Sequence, residues 1–465
     1  MDTQGYMNER QGLMSPREYA TKHFDEFKTQ LMDWLTIPSI STDPAHADDV
    51  RAAATWLADD MRRIGLENVQ LFETDGHPVL YADWLHAGDD APTILVYGHY
   101  DVQPAAVEDG WDGDPFTPRQ VGDHVIARGA TDDKGQVMIQ MKAIESLLMT
   151  DACPVNVKYL IEGEEEIGSP HLGAFVADKQ ALLSADICLI SDTTIRSVDQ
   201  PSMTYALRGL VTMQMQVSGP LRDLHSGYGG MIHNPVQAAA EIVAQLHHPD
   251  GSVAVPGFYD DVLPLSDDER AMLAKSDLSP DEWAGMMGDL PDYGEQAYTK
   301  LERHTARPTL EINGFAGGYA GEGFKTVLPA QATVKMSCRL VADQNPDDIY
   351  AKIERFVQEV APETVTVTLT KYDTGFPALT PINHPAVQAA VTAYGQNWSN
   401  DVLMTRTGGS IPIVADFQQL LDVPVVLLGF GLPDCRAHGP NETFNLTMFR
   451  KGVDTVIAYM QEIAS

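Results

Sequence analysis

YLIEGEEEIGS, residues Tyr159–Ser169, is an apolar run that stops abruptly on four acids, Glu162, Glu164, Glu165 and Glu166. Asn156 to Ile161 reads as a strand, so the glutamates stand where a strand ends. Adjacent carboxylates repel one another, and a compact site must protonate one of them or hold them with cations. A solvated loop is the plainer reading, since charge runs usually face water. The other residues with metal-binding or proton-transfer chemistry decide between the two.

Working outward, several strand-like runs place such residues in the same position. Thr93–Tyr97 leads into Gly98, His99, Tyr100 and Asp101; Ile187–Ile190 leads into Ser191 and Asp192; Val425–Gly429 leads through a loop to His438. Asp132 and Asp133 precede a helix expected over Gly135–Met149. Strand, helix and strand in alternation indicate an α/β sheet, and in open α/β sheets ligands bind beyond the carboxyl ends of the strands. Helices over Pro16–Leu35, with Ser15 as N-cap, and Asp48–Ile64 open the fold, followed by β-rich runs at Asn68–Glu73 and Pro78–Trp84.

From about Tyr205 the texture changes. Leu207–Val217 alternates, Pro235–His247 is helical, Pro256–Tyr298 has no clear periodicity, and Thr333–Val341, Pro346–Val360 and Thr364–Tyr372 read as strand, helix and strand. The α/β pattern then resumes with helices His384–Trp398 and Thr443–Ile463 around Val425–Gly429. The expected organisation is a loose tail at 1–14, an α/β catalytic domain over 15–204 and 377–465, and an inserted α+β lid or dimerisation domain at 205–376.

Composition narrows the function. A chain of 465 residues exceeds one ordinary core. Acidic side chains outnumber basic ones 66 to 31, and the formal charge of -35 repels phosphate backbones and anionic membranes, so neither nucleic acid nor membrane is expected as a partner. No run approaches the roughly 18 apolar residues of a spanning helix. The N-terminus lacks the basic and apolar regions of a secretory signal. The four cysteines form no CxxC pair, which fits a reducing cytoplasm and excludes a thiolate zinc knot. Imidazole and carboxylate ligands without thiolates suit zinc, manganese or cobalt. Five or six such groups exceed what one tetrahedral ion needs, so a two-metal site with a bridging carboxylate is inferred. In EGEEE one glutamate can then bind metal while its neighbour takes a proton.

Seven segments in order, TILVYGHYDVQP (Thr93–Pro104), GWDGDPF (Gly110–Phe116), ARGATDDKG (Ala127–Gly135), IEGEEEIGS, SDTT (Ser191–Thr194), RDLHSGYGG (Arg222–Gly230) and GGSIP (Gly408–Pro412), closely resemble the carnosinase and cytosolic non-specific dipeptidase branch of the di-metal aminoacylase and carboxypeptidase superfamily. The resemblance implies a cytoplasmic metallopeptidase that cleaves dipeptides or short peptides with a free C-terminal carboxylate, using two divalent ions, zinc or manganese. It implies His99 and Asp192 on one ion, Glu166 and His438 on the other, Asp132 bridging both, a cis peptide between Asp132 and Asp133, Asp101 as the acid behind a ligand, and Glu165 as general base. It further implies a homodimer in which His225 reaches the partner's site to bind the oxyanion, and Arg339, Thr326, Gly409 and Ser410 as substrate contacts. Glu164, where the family's dipeptidases commonly carry an uncharged residue, is left either to alter metal preference or to point to solvent. The rival readings are an N-acyl or N-carbamoyl amino-acid amidohydrolase of the same superfamily, and a metal-free binding protein that keeps the fold; the latter predicts lost ligands, and here every ligand position is filled.

Overall fold

The computed structural model describes residues 14–288, 290–409 and 411–465. Ser410 lies outside them, as does all but Met14 of the expected tail. The chain divides into two compact units, one holding the residues through Tyr205 with Thr380–Met404 and Asp416–Ser465, the other Ala206–Leu379 with Thr405–Ala415.

The first unit begins with α1 (Pro16–Leu35), whose start is set by a reciprocal Ser15–Glu18 capping box and Pro16 in the first turn. Phe24, Phe27, Leu31, Trp34 and Leu35 recur at helical spacing and are buried. Next come α2 (Ala47–Arg63), β1 (Glu67–Phe72), β2 (Val79–Trp84), β3 (Thr93–His99), α3 (Lys134–Leu148), β4 (Asn156–Glu162) and β5 (Ile187–Ile190). Every residue of β4 and β5 is buried, as expected of strands covered on both faces.

Almost all of α3 is buried too, including its charges. Lys142 Nζ lies 2.8 Å from Asp60 and 3.0 Å from Glu145, and Arg63 binds both acids from the other side at 2.7 and 2.8 Å. Buried charges persist because each is paired.

In the second unit β6 (Gly209–Ser218) alternates buried and half-buried residues along its whole length, the signature of a sheet covered on one face. With β7 (Thr309–Gly317), β8 (Gln331–Leu340) and β9 (Thr366–Gly375) it forms an antiparallel sheet in the order β7-β8-β6-β9. Helices α4 (Pro235–Val243) and α5 (Pro346–Val360) contribute Ala238, Ile242, Ile349, Ile353 and Val357 to its core. The stretch read as aperiodic contains two capped helices, Asp267–Ser276 and Pro280–Met287, and Lys300–Thr305 follows just beyond it. They start at Ser266, Ser279 and Thr299, and local capping hydrogen bonds define them more than an apolar stripe does.

The chain then returns to the first unit through α6 (Pro385–Gly395), β10 (Val425–Leu427) and α7 (Leu446–Ile463). The last helix was expected from Thr443, but Thr443–Asn445 is a short strand paired with His124–Ile126, and Asn445 caps the helix behind it. The sheet order is β1-β2-β4-β3-β5-β10, with β4, β3, β5 and β10 parallel and the β1-β2 hairpin antiparallel at one edge. In register, His99 stands beside Glu162. The carboxyl ends of three adjacent strands therefore deliver His99, the glutamate run and Asp192 to one end of the sheet.

Candidate metal centre

His99 closes β3 with its ring fully buried. Its Nδ1 lies 3.1 Å from the Asp101 carbonyl and 3.4 Å from the Asp101 carboxylate, so Nδ1 carries the ring proton. Nε2 is left facing Asp132 at 3.1 Å and Asp192 at 3.9 Å. Three acceptor atoms converge there, and a proton on Nε2 satisfies only one of the two carboxylates. A second group repeats the arrangement: His438 Nε2 lies 3.0 Å from Asp132 Oδ2 and 3.1 Å from Glu166 Oε2. In each triad the ligand atoms lie within 4.8 Å of one another, and Asp132 belongs to both. Two nitrogen-and-oxygen triads joined by one carboxylate fit a pair of divalent cations.

The electrostatics agree. Burial pushes the Asp192 carboxyl up to about 8, with Asp132 adding to the effect. Burial likewise raises Glu165 to about 7; His99 opposes this, while Glu166, Asp132 and Asp101 reinforce it. Hydrogen bonds donated by His438 to Asp132 and Glu166 lift its pKa to about 10 against the effect of burial. Burial alone would raise Asp132, but the two imidazoles hold it well below the usual carboxylate range. Without cations the cluster gathers protons instead.

Local structure explains how Glu165 and Glu166 are aimed. Gly163 lets the chain turn off β4, since a Cβ there would lie 2.4 Å from the Tyr100 ring. The backbone N–H groups of Glu165 and Glu166 then donate to the two oxygens of Asp101 at 3.2 and 3.1 Å. Asp101, fully buried, thus holds the His99 imidazole and the acid pair together. Gln103 Nε2 donates to Glu166 Oε2 at 2.8 Å. The Asp132-Asp133 peptide is cis. Asp133 is buried, and its Oδ2 accepts from His99 N–H at 3.4 Å.

Glu164 does not point to solvent. It is buried, accepting from the His77 backbone N–H at 3.2 Å and bonding His171 Nδ1 at 2.8 Å. The partners that bury this acid come from two separate stretches of chain, which the local charge run conceals. Sequence reasoning also missed Gln103 and Glu442. Gln103 lies inside the segment Thr93–Pro104, singled out for His99 and Asp101, and Glu442 lies between His438 and the expected last helix; a ligand-type neighbour was their only signal.

The first unit therefore assembles His99, Asp101, Asp132, Glu165, Glu166, Asp192 and His438. The remaining described candidates lie in the second unit. His225 is exposed; its Nδ1 accepts from the Gly227 N–H at 2.9 Å, so the neutral ring carries its proton on Nε2. Thr326 is beside it, its carbonyl accepting from Ser226 N–H at 3.0 Å. Arg339 sits on β8 opposite Leu210. Gly409 accepts from the Arg208 N–H at 3.0 Å, and the Arg208 Nε donates to the Gly408 carbonyl at 3.0 Å. Burial, together with the nearby Arg339 charge, pulls the Arg208 guanidinium down to about 10.

The chain is similar to known proteins over nearly its whole length. The Cys-Gly metallodipeptidase dug1 of Schizosaccharomyces pombe is 32% identical, over 96% of this chain and 98% of its own length. The Beta-Ala-His dipeptidase of Homo sapiens is 30% identical over 96% and 92%. Among solved structures, the M20 family metallo-carboxypeptidase Sso-CP2 of Sulfolobus solfataricus superposes with a TM-score of 0.81 at 29% identity, covering 94% of this chain and 99% of that one. The model of peptidase family M20/M25/M40 matches residues 95–462, spanning both triads, and the chain belongs to that family.

Proposed function

We infer that the protein is a metal-dependent dipeptidase that hydrolyses the amide bond of dipeptides or short peptides bearing a free C-terminal carboxylate. The observation that carries this reading is the pair of imidazole–carboxylate triads sharing Asp132, with a half-buried Glu165 beside them. His99 and Asp192 would hold one ion and Glu166 and His438 the other, with Asp132 available to both. Bound zinc or manganese supplies Lewis-acid polarisation of the amide carbonyl and makes hydroxide accessible near neutral pH.

The chain's own residues do the rest. Glu165 takes a proton from the attacking water on its carboxylate and returns it to the leaving amine nitrogen. Burial, the largest influence on Glu165, favours its protonated form and so makes it a stronger base than a solvated carboxylate. Asp101 keeps the His99 tautomer and the direction of Glu165 constant. His225 donates from Nε2 to the carbonyl oxygen as it becomes an oxyanion, reaching the partner's centre in a homodimer. Arg339 grips the substrate carboxylate through its planar fork, assisted by Gly409, Ser410 and Thr326. A cytoplasmic setting fits the four free thiols. No helix among the described residues is long and apolar enough to cross a membrane.

The test is a substrate panel assayed with added manganese or zinc. Free dipeptides are expected to turn over and their C-terminal amides to fail, because the amide removes the charge that Arg339 recognises. Turnover confined to N-acyl or N-carbamoyl amino acids would overturn the dipeptidase reading and favour the amidohydrolase one.

A further inference from the structure

Two of the sequence segments that stand out, GWDGDPF and the start of ARGATDDKG, supply no ligand before Asp132, yet both converge on one dipeptide. Glu442 lies four residues after His438 and is fully buried. Its Oε1 accepts from the backbone N–H groups of Thr131 at 2.8 Å and of Asp132 itself at 3.0 Å. Its Oε2 accepts from the Gly129 N–H at 2.9 Å and from Arg128 Nη1 at 2.8 Å. Four donors thus occupy the four lone-pair directions of a single carboxylate. Three backbone N–H groups from one short loop turned onto a point form an anion-binding nest, and without Glu442 they would be buried donors lacking an acceptor.

The surroundings fix Glu442 in turn. Arg128 packs 5.3 Å from the centre of the Trp111 ring, and Ala127 N–H donates to the Glu442 carbonyl at 3.1 Å. The adjacent Asn441 accepts from Asp112 N–H and from Arg119, both at 3.0 Å. Position 442 is therefore held by covalent linkage to His438 and by hydrogen bonds to the loop that presents Asp132.

We propose that Glu442 is a positioning residue, whose buried carboxylate sets the bridging Asp132 at the separation from His438 that two cations require. The proposal rests on the reading of Asp132 and His438 as metal ligands. A purely structural buried acid would alter stability and leave ion affinity alone; a positioning acid controls ion affinity in protein that is still folded.

Glu442→Gln preserves size but turns an N–H group towards two donors. The full-length variant is expected to melt cooperatively while its affinity for Mn²⁺ or Zn²⁺, measured by chelator competition, falls about 10–100-fold. The double variant Arg128→Met/Glu442→Gln removes the charge that the single change leaves unpaired, and the same loss is expected in it. A folded variant holding two ions with wild-type affinity overturns the proposal, and so does failure of both variants to fold. Wild-type protein that takes up no ion in the same titration would remove the metal-centre reading itself, and the proposal with it.

Discussion

Glu165 and Glu166 are neighbours in sequence for which separate tasks are proposed. Glu165→Gln is expected to keep both ions and lose about 10²–10⁴-fold in kcat, whereas Glu166→Ala is expected to lose an ion by elemental analysis. Reversed outcomes would exchange the two assignments. The protons gathered by the cation-free cluster give a second prediction. His438 holds one up to about pH 10 and Asp192 up to about pH 8, and both must shed it to bind metal. Ion uptake should therefore release protons, and affinity should rise with pH by about tenfold per unit for each proton released. Calorimetry in buffers of different ionisation enthalpy measures this directly; an affinity flat between about pH 6 and pH 8 would contradict it. The residues whose types announce their chemistry, His99, Asp132, Asp192 and His438, were legible from the chain alone. Glu164 and Glu442 were not, because a carboxylate's burial depends on donors from distant segments.

At the scale of elements, the legible ones were those with strong periodicity and a local start signal. The N-terminal helix is legible to the residue because Ser15 and Pro16 mark its beginning and its apolar side chains recur at helical spacing. The short strand Thr443–Asn445 reads as helix from the sequence because its pairing with His124–Ile126 is invisible locally. The helices of the inserted stretch were missed because capping, more than amphipathicity, defines them. The buried charges of α3 make a prediction of their own. Lys142→Met leaves Asp60 and Glu145 short of a cation in the interior, and a loss of about 3–5 kcal/mol is expected in urea denaturation. A change below about 1 kcal/mol would mean that Arg63 suffices for both acids.

For the whole molecule, the proposed homodimer predicts complementation. Mixing inactive His225→Ala and Glu165→Gln protomers under confirmed subunit exchange should recover roughly a quarter of wild-type activity. Half of the dimers are then mixed, and each mixed dimer has one intact site. No recovery would exclude a histidine supplied in trans. Chelation should also lower stability, by about 2.7 kcal/mol where the ion had been present at about 100 times its Kd.

The hydrogen bond between Asp132 and Glu442 joins residues 310 apart in the chain. During synthesis at about 5–20 residues per second, the nascent polypeptide spends roughly 15–60 s with Asp132 made and its clamp still to come. Most of the second unit, Ala206–Leu379, emerges within that interval and can complete its sheet first. His99, Asp132 and Asp192 are made early and His438 and Glu442 long after them, so closure of the loop around Asp132 and completion of the second proposed ion site are expected to be late steps of folding.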